Sequence, residues 1–194
     1  MAGPAKQFDR DQALARAADV FWSRGYEGTR VEHLLEAMDL SRSSLYATFG
    51  DKRALFLEAL QMWLDRELTV FLRHLSDEGP LHARLMAAFM QKHKMQLDHG
   101  NDSCLFGKTV AGGGMQDPDV AEILRNFRGR LERVMRREFE RAIQTGELPP
   151  DADADALAKM VVVLGQGVSI LTLEDEHCFE AIAPTVMKLF SPAG

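Results

Sequence analysis

The chain has 194 residues, a formal net charge of −6 and 46% hydrophobic residues, which is the composition of an ordinary globular protein. This acidic balance argues against a protein whose whole surface binds polyanions. The charge is uneven, because residues 1–53 carry eight basic and eight acidic side chains and the rest of the chain carries the whole acidic excess. A contact with nucleic acid would therefore need a local patch in the N-terminal part, with the acidic body turned away from the phosphates.

Neither a membrane span nor a secretory signal is evident in the sequence. No run of about 18 uncharged apolar residues is present, and the first residues lack the basic flank, apolar stretch and cleavage site of a signal peptide. We therefore expect a cytoplasmic protein with no membrane partner. Cys104 and Cys178 match no disulfide, metal or redox spacing, so we expect free thiols and neither a metal nor a cofactor.

Hydrophobic residues recur with a period near 3.6 along nearly the whole chain, which predicts an all-α fold of about nine helices. The first helix is expected to run from Asp9 to Ser23 and to end at Gly25. Three more helices follow, the last of them long. Their predicted N-caps are Thr29, Ser41 and Asp51.

Glycine and proline divide the second half into five further helices. The sixth is expected to fail at residues 112–114, where three glycines lose too much backbone entropy to stay helical. Asp117 and Pro118 are a typical N-cap and first residue for the seventh. The expected limits of the five helices are about 81–97, 103–112, 118–144, 152–173 and 177–190.

Residues 29–56 carry the most informative pattern. Two short helices meet at Met38-Asp39-Leu40 over a small shared core, which is the arrangement of a helix-turn-helix. That core consists of Val31, Leu34, Leu35, Leu40 and Leu45. The second helix begins with the small polar run Ser41-Arg42-Ser43-Ser44, which suits entry into a DNA major groove. Tyr46 and Lys52 follow it at positions suited to phosphate contacts.

The same stretch resembles a known family. The residues that carry the resemblance are Phe21, Gly25-Tyr26, Thr29, Leu40–Tyr46, Phe49-Gly50-Asp51-Lys52 and Leu55. Together they resemble the N-terminal signature of TetR-type regulators, because the turn, serine cap, tyrosine and Phe-Gly-x-Lys closure occur at the family's spacing. The chain departs from it at Asp39, where the family commonly has glycine, and at Thr48, where it often has histidine. Aspartate tolerates a left-handed backbone better than most residues, so we expect the turn to persist.

The resemblance implies a homodimeric, ligand-responsive repressor that binds a palindromic operator and is released by a small-molecule effector. It implies a helix-turn-helix domain at residues 1–53 and an effector-binding and dimerisation domain at 54–194. The residues expected to contact DNA are Thr29, Ser41, Arg42, Ser43, Ser44, Tyr46, Thr48 and Lys52.

An apolar stripe near the C-terminus fits a dimer interface. Its residues recur at steps of three and four, and Gly165 and Gly167 would let another helix approach closely. Two helix-turn-helix units related by a two-fold axis can read a palindrome, which favours dimerisation. The alternative is a core stripe within one chain. The stripe consists of Leu157, Met160, Leu164, Val168 and Leu171.

The effector pocket is expected among aromatic, methionine and polar residues of the second domain, since methionine suits adaptable cavities. Ordinary core packing is the alternative for each. The candidates are Trp63, Met86, Phe89, Met90, His93, Cys104, Phe106, Met115 and Gln166.

Cys104 has a further possible role. Its Cys-Leu-Phe element resembles the Gly-Cys-Leu-Leu segment of a subset of TetR-type proteins, some of which sense electrophiles or oxidants. A helix N-terminus and the nearby Lys108 would favour a reactive thiolate there. The alternative is a buried, inert thiol.

Two other classes of function remain open at this stage. An all-α enzyme is disfavoured because no Ser-His-Asp, paired-carboxylate or metal constellation is apparent, and the glycines at 112–114 lack the Lys-Ser/Thr tail of a phosphate-binding loop. A helical protein-interaction module could present the same exposed helix, because short serine-capped helices occur in many bundles. The Tyr46–Lys52 segment favours DNA binding over both.

Overall fold

The structure is a computed structural model that describes residues 8–98, 105–171, 178–188 and 190. Within these ranges the chain forms nine α-helices and one short 3₁₀ turn and no strand, which confirms the expected all-α fold. None of the described helices is long and apolar enough to cross a bilayer. The helices are α1 (Arg10–Gly28), α2 (Val31–Met38), α3 (Arg42–Phe49), α4 (Lys52–Leu75), α5 (Leu81–Asp98), α6 (Leu105–Ala111), α7 (Pro118–Gln144), α8 (Ala154–Leu171) and α9 (Cys178–Lys188).

Most helices begin where a side chain can satisfy their first backbone N–H groups. The Asp9 carboxylate accepts from two N–H groups in the first turn of α1. The Ser41 hydroxyl accepts from the N–H of Ser44 at 3.1 Å, and Asp51 accepts from the N–H of Ala54 at 2.7 Å. Asp117 caps α7 in the same way. These contacts confirm the predicted starts of α1, α3, α4 and α7.

The predicted cap at Thr29 is wrong. α1 continues to Gly28 across a kink at Gly25, whose φ is +68°, so the N–H of Thr29 bonds to the Tyr26 carbonyl and leaves the Gly25 carbonyl open. The Thr29 hydroxyl donates to that carbonyl at 2.6 Å. Arg30 therefore occupies the N-cap position of α2, and its N–H donates to His33 Nδ1 at 3.1 Å.

The glycine run ends α6 as predicted, and one of its glycines is required by close packing. A Cβ atom on Gly114 would lie 2.6 Å from both Cγ2 and the carbonyl oxygen of Thr109 and 3.0 Å from Cγ1 of Val120. These contacts fix the passage from α6 to α7. Only a residue without a side chain fits there.

Two hydrophobic cores share α4. The first joins α1, α2 and α3 to α4 from Leu55 to Leu68, and it includes Leu105 of α6 and the start of α7. The second joins Phe71 and Leu75 at the end of α4 to α5, α8, α9 and the rest of α7. The expected domain boundary at residues 53–54 thus runs through the first core. The helix-turn-helix is packed on α4 as part of one continuous core.

Replacing two glycines by alanine should have opposite effects on stability. We expect Gly114→Ala to lower the free energy of unfolding by about 1–3 kcal/mol, because its Cβ overlaps Thr109. Gly129→Ala, inside α7, meets only the flexible end of Arg133 and should raise it by about 0.5–1 kcal/mol. Urea titration followed by circular dichroism measures both, and equal stability of the two variants would contradict the close approach.

Candidate nucleic-acid interface and interior cavities

The turn between α2 and α3 has the geometry that the sequence predicts. Asp39 has φ 53° and ψ 46°, a left-handed conformation that ends α2. Leu34, Met38 and Leu45 are buried beneath the turn and fix the angle between the helices. The opposite side of α3 therefore faces outward as an ordered polar surface.

The front of α3 is small, polar and accessible. Ser41, Arg42 and Ser43 are exposed, while Ser44 is half-buried. The Ser41 hydroxyl lies 3.0 Å from that of Ser43 and 2.8 Å from that of Ser44. This cluster presents several hydroxyl groups that can donate or accept hydrogen bonds, as base edges and phosphates require.

Arg42 is held by an acidic residue of α2. Its guanidinium lies 2.5 Å from a carboxylate oxygen of Glu32, and both side chains are exposed. The backbone N–H of Glu32, and then Arg42, lower the pKa of this carboxyl group. The pair is exposed and hence weak, so a phosphate can compete with Glu32 for the guanidinium.

Tyr46, Thr48 and Lys52 extend the surface from α3 to the start of α4. Tyr46 is 41% exposed and Thr48 is half-buried. The ammonium of Lys52 lies 4.2 Å from the centre of the Tyr26 ring, a cation–π contact that orients the side chain. Because Lys52 opens α4, it stands where an anion would also meet the helix N-terminus.

Thr29 does not belong to this surface. Its side chain is 1% exposed, and its hydroxyl is engaged by the Gly25 carbonyl. The kink in α1 turns the side chain inward, so its burial does not support the predicted DNA contact, which stays a prediction. The other seven predicted residues lie between the N-cap of α3 and the first residue of α4, and all of them are exposed or half-buried.

Comparison with known proteins identifies the family. The model of bacterial regulatory proteins of the tetR family matches residues 13–59, and that of the tetracyclin repressor-like C-terminal domain matches residues 75–166. The HTH-type transcriptional repressor ComR of Escherichia coli K12 is 30% identical over 198 residues, covering 97% of this chain and 91% of ComR. The chain belongs to the TetR family. It is a DNA-binding transcriptional regulator and not an enzyme.

Two further comparisons agree with this assignment. The uncharacterized HTH-type regulator YezE of Bacillus subtilis 168 is 31% identical over 159 residues, covering 81% of this chain and 82% of YezE. A solved structure of a cysteine mutant of the TetR family regulator CifR, complexed with 26-base-pair double-stranded operator DNA, is 29% identical and has a TM-score of 0.84. That alignment covers 97% of this chain and 100% of the CifR chain.

The predicted pocket residues of this TetR-family chain do not form one site. Phe89 and Gln166 line a small cavity of about 20 Å³, and Trp63 lines another of about 10 Å³ that also touches Trp22 of α1. Met90 and Met115 are 43% and 46% exposed and line neither cavity, so the structure does not bring them together with the other candidates. Periodicity placed them on helices without showing which side faces inward.

The remaining pocket candidates belong to the cores or lie outside the described residues. Met86 packs against the second core, and Phe106 packs against the first, with its ring centre 5.8 Å from that of Phe127. His93 is buried, 4% exposed. Cys104 falls outside the described residues. In the described part of the chain, no group of three or more His, Cys, Asp or Glu side chains is arranged to hold a metal.

An ion pair between Glu67 and Lys92 is the feature that sequence reasoning missed. Lys92 Nζ lies 2.9 Å from Glu67 Oε1, and both residues line the two small cavities. The signal was available, because Glu67 stands on the apolar face of α4 three residues after Leu64 and four before Phe71. A charge in such a stripe is buried and needs a partner.

The described part of the predicted dimer stripe on α8 packs in part against its own chain. Leu157 and Met160 pack against the second core, and Leu164 lines a small cavity with residues of α9. All three are only half-buried within this chain and keep exposed surface, so the dimer stripe stays a prediction. The side chains of Val168 and Leu171 lie outside the described residues. Val163, which was not predicted, is 69% exposed.

Removing one hydroxyl group from the surface should weaken DNA binding and leave the fold intact. We expect Tyr46→Phe to reduce affinity for target DNA about fivefold, equivalent to about 1 kcal/mol, by deleting one hydrogen bond to phosphate. The melting temperature should stay unchanged because the side chain is exposed. Fluorescence anisotropy with labelled DNA measures the affinity. Wild-type affinity in Tyr46→Ala as well would remove Tyr46 from the interface.

Proposed function

We propose that the chain is a cytoplasmic, homodimeric repressor that binds a palindromic operator and leaves it when a small-molecule effector binds. The observation that carries the proposal is the exposed hydroxyl-rich front of α3 beside Tyr46 and Lys52. The names of two relatives support it, since ComR is called a transcriptional repressor and CifR was solved on operator DNA. One such front contacts few base pairs, so a second copy is needed for a specific site.

The outer face of α8 supports the dimer. Val163 is 69% exposed, an unusual position for a β-branched apolar residue in the middle of a helix. Ala156, Lys159 and Gly167 share its face at helical spacing, and Gly167 leaves open space for a neighbouring backbone. A second α8 can pack there, which supports an interface that includes this outer face beside the predicted stripe.

Two polar links connect α6 and α7 to the DNA-binding helices. Through these links, effector binding in the second domain would lead to release of the DNA. Lys108 of α6 donates to the carbonyls of Trp22 and Ser23 at 2.8 and 3.3 Å. Arg53 of α4 bonds to Asp117 at 3.0 Å and to Asp119 at 2.6 Å. The backbone N–H of Val120, and then Arg53, lower the pKa of Asp117. A cleft of about 370 Å³ beside these links leaves α6 room to move.

We propose that Cys104 is a second site through which α6 can be regulated. The support is its place in the sequence directly before α6 and the fact that CifR was studied as a cysteine mutant. An adduct there would press on the helix that carries Lys108. Treating the dimer with a mild electrophile and comparing operator affinity with that of Cys104→Ser tests this, and an unlabelled Cys104 would reject it.

Selection from random DNA tests the function directly. We expect the purified protein to enrich a palindrome with half-sites about one helical turn apart, on the order of 35 Å, or somewhat more. Affinity for that sequence should fall steeply with salt because Lys and Arg displace counterions from phosphates. An enzyme or a protein-interaction module would enrich no sequence. A scrambled duplex of the same composition is the control.

A charge on the outer face of α8 should separate the dimer. We expect Val163→Glu to weaken dimerisation about a hundredfold, about 3 kcal/mol, because the carboxylate would be buried without a partner. Val163→Thr keeps the shape of the side chain and should remain dimeric. Sedimentation velocity distinguishes the states, with circular dichroism to show that both variants fold. A dimeric Val163→Glu would place the interface elsewhere.

A further inference from the structure

The pair Glu67–Lys92 joins α4 to α5 in the interior of the second domain. The two side chains are only 10% and 15% exposed. Lys92 binds Glu67 Oε1, whereas Glu67 Oε2 is buried and has no hydrogen-bond partner among the residues that the structure describes. A carboxylate oxygen buried in this way is unfavourable, since it has lost water and gained no donor. The site therefore lacks one hydrogen-bond donor.

The Glu67–Lys92 pair also lies between two small cavities and separates them. On one side lies a cavity of about 20 Å³, whose lining includes Phe89, Phe127 and Gln166. On the other lies a cavity of about 10 Å³, lined by Trp22, Trp63, Met95 and Gln96 as well as the pair. Neither has room for more than about one water molecule. A larger ligand must displace a side chain.

Lys92 is the side chain best suited to move. It borders both cavities, and its flexible four-carbon stem lets the ammonium reach water while the stem stays on apolar surface. Trp22 and Trp63 are held by each other, with ring centres 4.6 Å apart at 85°. Withdrawal of Lys92 would join the cavities and leave Glu67 as a buried carboxylate without a counter-charge. A cationic ligand group that enters there would restore the balance.

We propose that the ammonium of Lys92 occupies the place of the cationic group of the effector, and that the effector is a small organic cation with a flat apolar body. Its positive group would bind both oxygens of Glu67 and supply the missing donor. Its apolar body would lie against the surfaces of Trp22 and Trp63, where cation–π attraction adds to burial. This inference rests on the proposed ligand response and names the chemistry of the ligand. The alternative, a structural ion pair with one buried water, is an outcome of the test.

The two tryptophans report on the site. They are the only tryptophans in the sequence, and both line the smaller cavity, so intrinsic fluorescence of the DNA-free protein follows ligand entry. Benzylammonium, benzyl alcohol and benzoate share one ring and differ in charge. We expect benzylammonium to bind at least tenfold more tightly than benzyl alcohol, and benzoate to leave the emission unchanged. Equal binding of all three would overturn the proposal.

Three variants test the roles of the pair. Glu67→Gln keeps the shape and removes the charge, so the preference for benzylammonium over benzyl alcohol should fall below twofold. Lys92→Met removes the competing ammonium and should tighten benzylammonium binding about tenfold. Lys94→Met is the matched control, because Lys94 is exposed on the same helix, and its affinities should equal those of wild type.

The outcomes distinguish failure of the proposed cation site from failure of the proposed repressor function. Should Glu67→Gln fail to fold by circular dichroism, Lys92→Met decides alone, and unchanged affinity there would overturn the proposal. Absence of benzylammonium binding to wild type would also overturn it and leave a structural ion pair with buried water. Operator affinity is measured separately. Charge-selective binding without any operator binding would support the cation site and refute the proposed function, whereas operator binding without cation binding would do the reverse.

Discussion

Helix α4 packs in both hydrophobic cores, and the position of the DNA-binding helices depends on this shared element. Leu55, Leu60 and Leu64 pack with α1–α3, while Phe71 and Leu75 pack with α5 and the C-terminal helices. The 24-residue helix contains neither proline nor glycine, so it has no local cause for a sharp kink. A shift of its second half is therefore passed to its first half. The helix-turn-helix must follow, because its own core is built on α4.

The polar links made by Lys108 and by Arg53 differ in strength. The difference indicates which of them couples the second domain more firmly to the DNA-binding helices. Arg53 and its partners Asp117 and Asp119 are substantially exposed, so water and salt weaken these ion pairs. Lys108 is only half-exposed and holds carbonyls next to the kink of α1. The tight glycine at position 114 anchors the other end of α6 against α7. We infer that α6 transmits movement mainly through Lys108, with Arg53 as a weaker and salt-sensitive link.

The sequence predicted the helices and the exposed polar front of α3 because both depend on local signals. Caps at Asp9, Ser41, Asp51 and Asp117 act within one helical turn, so their effect can be read from adjacent residues. The side-chain positions that the sequence did not predict have a common physical origin. Periodicity shows which face of a helix is apolar but not which neighbour buries it. Leu157 and Met160, for example, are packed only in part against the second core of their own chain, so their apolar pattern does not by itself identify the neighbour that covers the rest. The inward position of Thr29 was not predicted for a related reason. Its hydroxyl donates to the Gly25 carbonyl, which is available only because the backbone kinks at Gly25.

The buried charge at Glu67 lies at the junction of the two cores. Leu68 belongs to the first core and Phe71 to the second, so Glu67 stands where α4 passes from one to the other. Apolar residues of similar size would often make such a position equally stable or more stable, so stability alone gives little reason for an ion pair there. A ligand that separates α4 from α5 at this point would act about 22 Å along the helix from Lys52, and a tilt of about 5° would move the start of α4 by about 2 Å. A displacement of that size exceeds the tolerance of a hydrogen bond to phosphate, so a small change at the junction is sufficient to disturb the DNA-binding surface.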